Sequence, residues 1–228
     1  MNDQEVVSKL IKTHQKRAKK SLYWVAHKLL GFKDVNLRTH GEIINALEDT
    51  ETKRKLLCVP RGCLKSSIAC VAYPIWLLIN NPDLRIYIDS EVYMNSSKFL
   101  REIRMHLERP LFTHIFGEFR SNIWNESEIV IKQRTKPRKE GSITVGGIGT
   151  TKVGQHYDVI IGDDMNSPKN SNTPENAEKV IDHYKYNTSI LEPEGTYVII
   201  GTRYSANDLI GHILANEIHI QGSEDHGS

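Results

Sequence analysis

Short apolar runs alternate with longer amphipathic stretches along most of this chain. KLLCV at 55–59, LRIYID at 84–89, YDVIIG at 157–162 and TYVIIG at 196–201 read as strands, and YDVIIG is nearly all apolar, as a strand buried on both faces is. Helical patterns fill the spaces between them: 65–79, about 91–108 with a stop before Pro110, a stretch after Pro174, and another from about Ala206. EIVIKQ and SITVGG read as a strand pair flanking the basic loop KQRTKPRKEG. Upstream, residues 4–30 have a helical pattern, and THGEIINALED at 39–49 predicts a second helix with Thr39 as cap and Glu42 at the capping-box position. The longest apolar run, IACVAYPIWLLI at 68–79, is too short to span a bilayer and carries Pro74, so it predicts a core helix that kinks or stops early. Strands alternating with helices predict an α/β fold, a mostly parallel central sheet flanked by helices, with a small N-terminal helical extension.

Composition narrows this only a little. The chain has 228 residues, enough for one sizeable α/β domain. Its net charge of +2 gives no strong signal about partners. Three cysteines, Cys58, Cys63 and Cys70, are odd in number and close together, which argues against a disulfide framework and for a reducing compartment. Cys58 and Cys63 have no second ligand pair at finger-like spacing, so a zinc site is not expected. No signal peptide opens the chain, and the polar end IHIQGSEDHGS fits either a natural terminus or a cut within a longer protein.

The candidate chemistry begins at VPRGCLKSS. A phosphate-binding loop needs backbone N–H groups that curl round the phosphates, a lysine that reaches the β and γ oxygens, and a hydroxyl that holds magnesium at a helix N-terminus. Pro60 opens the candidate ATP-binding loop, Arg61, Gly62, Cys63 and Leu64 supply the curl, Lys65 the charge, Ser66 the magnesium contact and Ser67 a spare hydroxyl. The strand before and helix after are the required context. Against this, the two glycine positions of G-x-x-x-x-G-K-S are filled by Val59 and Leu64, and the competing reading is an ordinary βα turn with a lysine at the helix start.

Hydrolysis also needs a magnesium acid and a group that orients water. YDVIIGDDM delivers both at one strand end: Asp163 for magnesium and Asp164 for the attacking water, where many ATPases place glutamate. Alone, the two are also read as solvated turn acids. VIIGTRYSANDL supplies a third element, Gly201-Thr202-Arg203 at the end of another apolar strand, able to sense a γ-phosphate or simply to turn the chain.

In this order and spacing, VPRGCLKSS, VIIGDD and GTRYSANDL resemble the ATPase domain of the large terminase subunit of tailed bacteriophages, and SEVYMNSSKFLREIRMHLE resembles the corresponding segment there. The likeness spans roughly residues 40–215. It implies a P-loop NTPase fold of the ASCE or RecA-like type, with a basic helical segment over 1–38 and the ATPase domain over 39–228. It implies a magnesium-dependent ATPase that drives double-stranded DNA into a procapsid. Lys65 and Ser66 would bind phosphate and Mg2+, Asp163 would be the magnesium acid, and Asp164 would stand for the catalytic glutamate. Arg61 falls where the family has an arginine near the phosphates, and Thr202 and Arg203 fall in its coupling motif. The implied partners are DNA, the portal protein, the small terminase subunit and further copies of the chain in a ring, the isolated domain being monomeric. The implied location is the host cytoplasm, docked transiently on the procapsid and absent from the mature virion. The family's nuclease domain has no room here, so no DNA cleavage is expected.

Ring ATPases of this kind add a basic residue from a neighbouring subunit. Lys152 in GTTKVGQHYD, Arg138 and Arg203 are the candidates. The N-terminal KTHQKRAKK and the loop Lys132–Lys139, with five cations in eight positions, are either phosphate-binding surfaces or solvated faces. Tyr23, Trp24 and His40 fall in the region that packs near adenine in that family, and Trp24 also reads as a core residue. Two rivals remain: a helicase-like DNA translocase, and a nucleotide-dependent assembly module with little turnover.

Overall fold

The computed structural model describes residues 3–217. The helix expected over 4–30 is broken once. Helix α1 (Asp3–Lys20) stops before Ser21, which caps the short α2 (Leu22–Trp24) by accepting the Trp24 N–H. A π-helical turn, Val25–Leu29, follows. Helix α3 (Leu37–Glu48) is capped by Asn36, whose Oδ1 accepts the Thr39 N–H at 2.9 Å, so Thr39 lies inside the helix and is not its cap. An asparagine in extended conformation ahead of the first turn satisfies the free N–H as well as a threonine does.

Strand β1 (Arg54–Cys58) leads through a turn into one continuous helix over 65–80. Its middle, Ser67–Ala72, is π-helical, and α4 (Tyr73–Asn80) completes it. Pro74 therefore neither stops nor ends the helix. It lies inside the continuous helix, directly after the π-helical turn, whose wider hydrogen-bond spacing gives the ring room where a regular α-helical turn would clash with it. Then come β2 (Ile86–Ser90), α5 (Tyr93–Leu107), α6 (Pro110–Phe116), β3 (Arg120–Trp124), β4 (Glu128–Ile131), β5 (Ile143–Val145) and β6 (Tyr157–Asp163). Helix α7 (Pro174–Ser189), β7 (Leu191–Gly201) and α8 (Leu209–Asn216) follow. The α6 helix and β3 have no counterpart in the sequence reading, and β7 starts earlier than its apolar core suggested.

The seven strands form one sheet in the order β1-β7-β6-β2-β5-β4-β3. The first five in that order run parallel; β4 pairs antiparallel to β5 and β3 antiparallel to β4, so β4 alone runs against the rest. The fold is thus α/β with a mostly parallel mixed sheet. Alternation along the central strands explains their unbroken apolar runs. Ile86, Ile88, Val159, Ile161, Val198 and Ile200 face a core shared with the 65–80 helix, α5 and the end of α1. Tyr87, Ile160, Tyr197 and Ile199 face a second core shared with α7 and α8. Among the described residues no helix is long and apolar enough to cross a membrane.

The amino ends of the central strands are pinned by Arg85. Its backbone N–H and Nε bond Asp158 Oδ2 at 2.8 and 3.0 Å, and its Nη2 bonds Asp158 Oδ1 and Glu192 Oε1, each at 2.7 Å. At the carboxyl ends Cys58 pairs with Gly201, Ile200 with Asp163 and Asp163 with Ser90. The register therefore brings three separate sequence motifs to one edge.

Candidate functional site

The turn after β1 keeps a conformation its sequence seemed to forbid. Gly62 has φ +83° and Leu64 has φ +48°, both in the left-handed region. Glycine enters it freely, whereas leucine pays for a Cβ close to the following carbonyl. The second glycine position is thus filled by a residue held in glycine's backbone geometry. Asp164, at φ +41°, is the other strained residue among those described.

Lys65 is buried and reaches back across the turn. Its Nζ donates to Thr202 Oγ1 at 3.0 Å and to the Val59 carbonyl at 3.4 Å, and lies 3.2 Å from Asp164 Oδ1. That Asp164 oxygen is buried and has no hydrogen-bond partner, so its contact with Lys65 is a charge contact. Thr202 Oγ1 in turn donates to Val59 O at 3.3 Å. Ser66 Oγ donates to Asp163 Oδ1 at 2.7 Å. Lys65, Ser66, Asp163, Asp164 and Thr202 therefore share one cluster, built from the ends of β1, β6 and β7.

Burial pushes the Asp163 carboxyl up to about 6. The neighbouring Asp164 adds to the rise, and the Ser66 hydroxyl opposes it. Cys70, in the π turn, is wholly buried against the same carboxylate. Burial and the two aspartates push its thiol well above the usual range, so it is a neutral packing group and no nucleophile.

The other residues of the turn point elsewhere. Arg61 is exposed, donates to the Tyr204 hydroxyl and lies over the Tyr204 ring, 5.6 Å from its centroid. Pro60 is exposed, and Cys63 and Ser67 are half-buried. Arg203 is exposed, its Nε bonded to Ser205 O at 3.1 Å. Among the described residues Lys152, Arg138 and Arg203 make no hydrogen bond or ion pair to the cluster. The Lys152 N–H is held by the Tyr186 hydroxyl on α7.

The basic loop is less free than its composition suggests. Arg134 bonds the carbonyls of Glu140, Gly141 and Leu84, Lys132 pairs with Glu118 at 2.7 Å, and Lys139 bonds Gly154 O. Lys136 and Arg138 remain as exposed cations. Trp24 and Tyr23 pack against the main core, and His40 is buried with its ring on the Asn36 backbone.

One organiser escaped the sequence reading. Asp208 is fully buried, caps α8 through Gly211 N at 2.8 Å, and accepts the N–H groups of Tyr204 and Ser205 at 2.7 and 3.1 Å. It fixes the turn that carries Thr202 and Tyr204. Its signal was present: an aspartate directly ahead of the apolar run LIGHIL is a helix cap.

The donor set suits magnesium. A small hard cation that keeps most of its waters needs only one or two protein oxygens, and Ser66 and Asp163 offer a hydroxyl and a carboxylate side by side. Among the described residues no three His, Cys, Asp or Glu side chains cluster as metal ligands. No protein-family model matches the chain, and no curated protein is found as a relative.

Proposed function

We propose that this chain is a magnesium-dependent ATPase whose P-loop lies at the end of β1. The observation that carries the reading is the meeting of Lys65, Ser66, Asp163, Asp164 and Thr202 at one edge of the sheet. The strand order supports it too, because β7 stands between the lysine strand β1 and the acid strand β6, as in NTPases of the ASCE or RecA-like type.

In this reading Lys65 holds the β and γ phosphate oxygens in place of Asp164, which is thereby released to accept a hydrogen bond from water. Ser66 and Asp163 hold the metal, Asp163 as the anion. When held there by Ser66 and Asp163, magnesium would supply neutralisation of the phosphate charge. Thr202, bonded to Lys65, reports at the end of β7 whether the lysine is engaged. Arg61, paired with Tyr204 at the mouth of the turn, is a phosphate-contacting cation when that pair opens. The resemblance to large terminase subunits extends the proposal to a motor that packages double-stranded viral DNA, with the portal and a ring of copies as partners.

One observation favours a second reading. Lys65 and Asp164 satisfy each other's charge at 3.2 Å, a closed arrangement that suits a nucleotide-dependent assembly module with little turnover. Phosphate release from magnesium-ATP, measured over a wide protein concentration beside Lys65→Ala and Asp164→Asn, separates the two. Turnover lost in both variants supports the ATPase. Binding without release at every concentration supports the assembly module, and no binding overturns both.

A further inference from the structure

Asp89 lies at the end of β2, one residue before the Ser90 that pairs with Asp163, and is fully buried. Its Oδ2 accepts two hydrogen bonds of 2.6 Å from α7, from His183 Nε2 and Asn187 Nδ2. Its Oδ1 accepts the Ser90 N–H at 3.1 Å. The bond to a carboxylate places a proton on His183 Nε2, and in a neutral ring that leaves Nδ1 as an acceptor. Nδ1 meets the Gly149 N–H at 3.4 Å. Three residues along α7, the Tyr186 hydroxyl accepts the N–H of Lys152.

Gly149 and Lys152 belong to the connection 146–156. It leaves β5 at its carboxyl end and enters the parallel strand β6 at its amino end, with β2 between the two. It therefore crosses the sheet, and Ile148 places the crossing on the α7 side. It has no helix or strand of its own. Its glycines allow close passage: a Cβ on Gly147 would lie 2.4 Å from Tyr93 N. Gly146 and Ile148 tie its start to the Ile88 and Ser90 carbonyls of β2, at 3.0 and 3.2 Å, and it bonds within itself from Gly147 to Thr150 and from Gln155 to Lys152; the ties to α7 are those at Gly149 and Lys152.

We propose that His183 is a positioning residue. Nε2–H anchors the ring on buried Asp89, and Nδ1 holds Gly149, so the crossing segment is clamped to α7 and the Lys152 turn is presented in one place. The clamp is independent of the ATPase reading. Its effect on turnover rests on that reading.

The first test is histidine 15N NMR on the unmodified chain. A neutral Nε2–H tautomer at His183 is expected, and a Nδ1–H tautomer or an imidazolium overturns the proposal. The second is amide exchange without nucleotide. In His183→Gln the amide nitrogen still reaches Asp89 but nothing faces Gly149, so the Gly149 and Lys152 amides should exchange about tenfold faster while β6 stays protected. In His183→Asn the side-chain oxygen takes the place of Nδ1, so Gly149 stays protected. Unchanged exchange in His183→Gln, or loss of Gly149 protection only in His183→Asn, overturns the clamp. Should either variant fail to fold, the tautomer measurement still decides. With magnesium-ATP, His183→Gln should lower kcat and leave KM unchanged. A chain that turns over no ATP would sink the ATPase reading and leave the exchange result standing.

Discussion

Ser66 Oγ donates to Asp163 Oδ1 at 2.7 Å, a bond between residues 97 positions apart in sequence. It joins a helix start to a strand end, and under the ATPase reading those two oxygens are the protein's whole contribution to the metal. Ser66→Ala should therefore weaken ATP binding in magnesium more than in chelator, by about tenfold, the scale of one lost charge-assisted contact. Titration of a fluorescent ATP analogue with and without magnesium checks this. Equal weakening in both conditions would assign Ser66 to the phosphates.

Leu64 supplies a test of backbone geometry. Leu64→Gly should keep the turn and its nucleotide affinity, because glycine adopts φ +48° without strain. Leu64→Ile preserves bulk but puts a β-branched residue where it fits poorly, and should lower stability by about 1–3 kcal/mol. Chemical denaturation of the two variants, beside ATP binding, distinguishes strain from lost packing. If isoleucine is tolerated and glycine is not, the side chain matters more than the backbone.

At the opposite edge, Arg85 is buried between Asp158 and Glu192. Arg85→Leu leaves those partly exposed carboxylates without their cation and should cost about 1–3 kcal/mol of stability. Urea unfolding measures it. A loss under 1 kcal/mol would mean that solvent reaches the carboxylates freely.

Asp83 gives a pH dependence whose sign follows from its bonds. The Lys136 N–H, the Thr135 hydroxyl and the Thr135 N–H all favour its ionised form and pull its carboxyl down to about 2. Its folded value lies below its unfolded one, so its contribution to stability is present above about pH 4 and is lost as pH falls toward 2. The thermal-stability gap between the unmodified chain and Asp83→Asn should narrow from pH 5 to pH 2. A gap independent of pH would remove the carboxylate from the account.

The parallel sheet could be read from the sequence because its strands are apolar on both faces and end in short chemical motifs. Lys65, Ser66, Asp163, Asp164 and Thr202 could be assigned to one site because each follows such a strand. The residues around them could not. Asp89, His183 and Asn187 meet from two elements nearly a hundred positions apart, and no local pattern marks a buried polar contact of that kind. The conformation of Leu64 was hidden for a related reason, since a glycine preference describes a backbone conformation and the surrounding fold can impose that conformation on another residue. The cap on α3 and the π turn before Pro74 depend on backbone details that several residue types satisfy.

Strand β7 stands between β1 and β6, and its end carries Thr202. The lysine turn and the acid strand therefore have no sheet to share until the chain has been made past residue 201. Contacts of such long sequence separation form late, after the local helices and the β3–β4 hairpin. A chain emerging from the ribosome would carry every residue of the Lys65 turn for well over a hundred positions before it had the cluster. Under the ATPase reading, nucleotide would then select finished molecules and ignore growing ones.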